Sequence, residues 1–123
     1  MSKESLIQYL TERTAVIYPN GGSESAPANI SNANRYLLDN PFPGHEVLCK
    51  IKYYLNGKWG EASDVAQVSE KALMYGAFCG MLDDGLVLQT GQNYVLIQSV
   101  AQGNTFGITT THQSVPAKVI VMR

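Results

Sequence analysis

Residues 50–62, KIKYYLNGKWGEA, set alternating strand formers on one side of Asn56-Gly57 and the only tryptophan of the chain on the other. Asn-Gly between two such runs is a hairpin signal, because both residues tolerate the positive φ that a tight two-residue turn demands. Pairing around that turn puts Leu55 opposite Lys58, Tyr54 opposite Trp59 and Lys52 opposite Glu61. Val47, Cys49, Ile51, Tyr53 and Leu55 then form the inward face. A three-residue loop with a bulge would slip the register by one and carry Trp59 across to join Tyr53. A lone tryptophan in a small domain serves more often as a packing anchor than as a ligand platform, so Trp59 is expected in the core. In the other register Tyr54 and Trp59 form an exposed aromatic pair suited to ligand contact.

The same texture continues to the end of the sequence. Strands are predicted near 46–55, 58–64, 72–82, 85–90, 93–100, 105–111 and 116–122. Turns fall at Asn56-Gly57, Asp83-Asp84-Gly85, Thr90-Gly91-Gln92 and Gly103-Asn104. Seven short strands at spacings near ten residues predict a mainly β fold, a compact antiparallel β-sandwich or small barrel. Residues 65–73 also fit a short helix. Ahead of this body, residues 1–44 read differently: ESLIQYLTER at 4–13 allows one or two helical turns, and 19–44 hold four of the five prolines among Gly, Ser and Asn. The expected organisation is an extended N-terminal arm over 1–44, with a possible short helix, leading into a β-body over 45–123.

With 123 residues and a net charge of −1 the chain suits one small domain. A pI of about 6.1 provides no basic field for phosphates, so nucleic acid is not an expected partner. No apolar run approaches membrane-spanning length, and the N-terminus lacks the apolar core of a signal peptide, so synthesis in the cytoplasm and no membrane partner are expected. Cys49 and Cys79 lie in apolar strand-like stretches without metal-ligand spacing, and are read as buried free thiols. Only 15% of residues are charged, and the 46 residues from Ala72 to Ala117 carry Asp83 and Asp84 as their only acidic or basic groups apart from His112. Such a stretch fits surface covered by copies of the same chain, where unpaired charge is costly, or else a β-domain with a neutral exterior.

Catalytic groups are sparse. His45 and Glu46 are neighbours whose side chains diverge in an extended chain. Asp83-Asp84 precede a glycine, a setting in which aspartate serves the turn itself. No phosphate loop, nucleophile elbow, zinc-helix or dinucleotide fingerprint occurs, so neither an enzymatic role nor a cofactor or metal is expected.

The arm TERTAVIYPNGGSESAPANIS and the body strings NGKWGEA, DDGLVLQTGQN and SVPAKVIVMR resemble small bacteriophage virion proteins, particularly capsid decoration proteins, and the last three also resemble knob domains of phage fibres. The resemblance implies a non-enzymatic structural protein of the virion, made in the host cytoplasm and bound to the major capsid protein or another virion protein as a homotrimer. On that reading Ile30, Tyr36, Leu37 and Phe42 are the expected capsid contacts. Deleting residues 1–40 should then leave a folded body. The knob alternative uses Tyr54 and Trp59, beside the polar loop Gln98 to Thr105, to stack on a host-surface glycan.

Overall fold

The computed structural model of the chain describes residues 2–68 and 73–123. The Asn-Gly turn forms as read: strand β4 (Leu48–Leu55) pairs with β5 (Lys58–Gly60) in the two-residue register, Tyr54 opposite Trp59 and Leu55 opposite Lys58. Asn56 and Gly57 take φ of 55° and 77°, the left-handed pair that such a turn requires. On its other side β4 pairs antiparallel with β10 (Ser114–Met122), Val119 opposite Ile51 and Val121 opposite Cys49.

A second antiparallel sheet packs against the first. It contains β3 (Arg35–Leu38), β9 (Gly85–Thr90) and β8 (Ala77–Leu82), in that order. The two sheets make a mainly β sandwich, and no barrel closes among the described residues. Period-two alternation drives the packing, because one side of each strand must leave water. Val115, Ala117, Val119 and Val121 of β10 point inward with Ile51 and Tyr53 of β4, to meet Ala77, Cys79, Leu86 and Leu88 of the second sheet. A small hairpin, β6 (Ala66–Val68) with β7 (Leu73–Tyr75), precedes β8. It replaces the helix allowed for 65–73; residues 69–72, with the start of the expected 72–82 strand, lie outside the described residues. Gly76, at φ 94°, separates β7 from β8, so the long expected strand is two.

The extended N-terminal arm is not evidenced. Helix α1 (Lys3–Glu12) forms, capped by the Ser2 hydroxyl, and leads directly into β1 (Thr14–Ile17), which pairs with β10. Strand β2 (Asn29–Ser31) pairs with the first residues of β10, and β3 is an edge strand of the second sheet. The prolines and glycines between these strands turn the chain without keeping it off the body. Ile30 is fully buried in the core, so removing 1–40 would remove three strands and a core side chain and leave no intact body.

The expected strands 93–100 and 105–111 also give way. Only isolated bridges form there, together with one turn of helix, α2 (Ser99–Gln102). The cause is local polar bonding that competes with a ladder. Buried Gln102 accepts from Ile97 N–H at 2.9 Å and donates to the Val95 carbonyl at 3.2 Å. Asn104 donates to the Ile97 carbonyl and to Gln102 Oε1, and Ser99 Oγ accepts from Ile108 N–H. The expected 58–64 strand stops at Gly60, where the Phe106 ring and Thr105 occupy the space a Cβ would need.

Candidate binding faces

The outward face of the first sheet gathers the aromatic pair. Trp59 is half-buried and outside the core; its ring meets Tyr54 with centroids 5.1 Å apart and planes at 50°. The expectation of a buried tryptophan is corrected, because the two-residue turn keeps Trp59 in register with outward Tyr54. Two lysines, Lys52 and Lys118, stand directly opposite each other on this face, an arrangement that repels. Each ammonium is drawn to a separate partner: Lys118 Nζ sits 4.0 Å from the centre of the Trp59 ring, and Lys52 Nζ lies 3.2 Å from Glu61 Oε1. Lys50 approaches the same carboxylate at 3.8 Å. Beside Trp59, a recess of about 270 Å³ is lined by Leu55, Asn56, Lys58, Thr105 and Phe106.

Towards the other end of that face the surface turns apolar. Val16 lies opposite Ile120, and Met122 opposite Leu48, which is 72% exposed. In α1, which leads into β1, the side chains of Leu6, Ile7, Tyr9 and Leu10 are exposed as well, and no residue of that helix is buried. The helix end is held to β10 by Arg123 N–H, which donates to the Arg13 carbonyl at 2.9 Å.

The outward face of the second sheet is barer still. Leu37 is 71% exposed, Phe78 52% and Leu82 61%, with Val87 between them in register: Leu37 opposite Val87, and Val87 opposite Gly80. The Phe78 ring folds over Gly80, where a Cβ would stand 2.8 Å from it. Sheet faces exposing several large apolar side chains together are uncommon on monomers and mark contact surfaces. Arg35 and Gln89, opposite each other, bring polarity to one end of the patch.

The four expected capsid contacts therefore separate. Ile30 is in the core, which removes it from any partner's reach. Tyr36 is half-buried, its hydroxyl accepting from Ser31 N–H at 2.9 Å. Phe42 packs against the core with the Arg123 guanidinium 5.5 Å from its ring. Leu37 alone of the four is exposed, and Phe78 and Leu82, which the sequence reading passed over, share its face. Their alternation with Ala77, Cys79 and Met81 was the available signal.

The sparse titratable groups serve local structure. Asp84 Oδ1 accepts from Gly44 N–H at 2.9 Å, His45 Nε2 lies 3.1 Å from Arg123, and His112 Nε2 lies 2.9 Å from the Thr110 hydroxyl. Among the described residues no three His, Cys, Asp or Glu side chains converge as metal ligands, and no helix is long and apolar enough to cross a membrane. No protein-family model, curated protein or solved structure matches the chain.

Proposed function

We propose that this is a non-enzymatic structural protein of a bacteriophage virion, a head decoration protein that attaches to the capsid surface by binding energy alone and acts as a homotrimer. The observation that carries this reading is the bare apolar face of the second sheet, where Leu37, Phe78 and Leu82 are exposed around half-buried Val87, on a chain with few charges. Burying such a face against the major capsid protein or a second copy gains about 25 cal/mol per Å² of apolar area, and a trimer multiplies each weak attachment. The residues assigned to contact shift accordingly, from the N-terminal segment to the sheet face, with Leu37 retained.

The test uses capsids of the encoding phage stripped of this protein. Wild type at micromolar concentration should cosediment with them, and light scattering should give about 40 kDa, three times the 13.4 kDa chain. Phe78→Ser should weaken both. A stable monomer that leaves capsids bare would overturn the reading.

A second reading, a fibre-tip knob that binds a host-surface glycan, draws on the outward Tyr54–Trp59 pair and its adjoining recess. Aromatic faces next to neutral polar groups stack on sugar rings, here with Asn56 and Thr105 as the polar neighbours. A glycan array with hits lost in Trp59→Ala would favour it, and an array without hits would exclude it.

A further inference from the structure

Cys49 of β4 and Cys79 of β8 stand on facing sheets, both directed into the sandwich, and together line one recess of about 100 Å³. Hydrogen bonding towards Cys79 holds the Cys49 thiol below its ordinary range, and the same interaction together with burial pushes the Cys79 thiol up. The recess lies along the flank of the sandwich. There β4 from Leu48 to Lys52 pairs with β10 alone, and β8 pairs with β9 alone, among the described residues. Lys50 and Asp64 stand at its margin. Cys79 is buried, whereas Cys49 is only half-buried and is the sulfur that a small molecule in the recess would reach first.

We propose that Cys49 and Cys79 are a thiol–disulfide exchange site, which reacts with low-molecular-weight disulfides entering this recess and closes to a bond that staples the two sheets. The Cys49 thiolate attacks one sulfur of the small disulfide, breaking its S–S bond and releasing one thiolate. Cys79 then gives its proton to water and attacks the Cys49 sulfur, and the second small thiolate leaves. Two electrons pass from the cysteine pair to the oxidant, which departs as two thiols. The inference is independent of the virion reading, because it concerns the β4–β8 seam and neither outer face.

The probe is glutathione at a fixed ratio of oxidised to reduced form, applied anaerobically to the folded wild-type chain. Intact mass should fall by about 2 Da without a covalent dimer, and a digest should contain one peptide linking Cys49 to Cys79. The melting temperature should rise by about 10 °C, since the bond closes a loop of some thirty residues in the unfolded chain. Cys79→Ala should stop at a glutathione adduct on Cys49. Two free thiols at an oxidising ratio, a lasting adduct on wild-type Cys49, or a disulfide-linked dimer would each overturn the proposal.

Discussion

The Lys118 ammonium lies 4.0 Å from the centre of the Trp59 ring, on a strand two places across the first sheet. The contact covers the tryptophan without burying it and relieves the repulsion from Lys52 opposite. Lys118→Ala should cost about 0.5–1 kcal/mol, the worth of an exposed cation–π contact. Iodide should quench Trp59 fluorescence more strongly in the variant than in wild type, and unchanged quenching would contradict the contact.

Gln102 is the polar centre of the 95–108 loop. Replacing it by alanine strands the Ile97 N–H and the Val95 carbonyl away from water. Chemical denaturation should show a loss of about 2–4 kcal/mol. Hydrogen exchange at Ile97 should accelerate more than at Val119 in the sheet.

Gly91 and Gly57 are both needed, for different reasons. A Cβ on Gly91 would stand 2.7–2.8 Å from the Tyr75 backbone, whereas one on Gly57 meets nothing but is held at φ 77°. Gly91→Ala should therefore cost about 2–3 kcal/mol through displaced backbone, and Gly57→Ala about 1–2 kcal/mol through left-handed strain. Asparagine, which tolerates positive φ, should recover most of the loss at 57 and none at 91. Equal recovery at both sites would refute this distinction.

Tyr53, 1% exposed, has its phenol pushed above the usual value of 10.0 by burial, reinforced by the negative charge of Asp64. The folded chain therefore holds this proton at pH values where the unfolded chain has released it. The stability linked to Tyr53 is complete below pH 10 and declines as pH rises further, by up to about 1.4 kcal/mol per unit. Cys79 shifts in the same direction, so the comparison must be with Tyr53→Phe, whose alkaline decline should be shallower by one proton. Parallel declines would remove Tyr53 as the cause.

The β4–β5 hairpin was legible because Asn-Gly constrains the backbone locally and Tyr54-to-Trp59 pairing follows from counting. The inward face of β4 followed from the same alternation. Trp59 departs from the expected core position because register, and not size, determines which face a strand residue occupies. The strands of the N-terminal region were hidden because Thr14–Ile17 and Asn29–Ser31 are short, and their one partner among the described residues, β10, lies more than eighty residues away in sequence. Val95, Leu96 and Ile97 look like a strand on hydrophobicity alone. Their backbone is diverted by Gln102 and Asn104, whose amides compete as bonding partners in a way composition does not reveal.

Strand β10 has consequences for the order of assembly. It is the shared partner of three strands: β2 pairs with Ser114–Pro116 and β1 with Val119–Met122, while β4 pairs with Ala117–Met122. On the ribosome the Asn56-Gly57 hairpin can close early, but β1 and β2 must wait, edges open, for a strand made more than eighty residues later. Long-range pairing of this kind folds slowly and leaves unpaired edges vulnerable to aggregation in the meantime. Nascent chains stalled before residue 114 should be bound by chaperones, and release of the remaining strand should be the event that frees them.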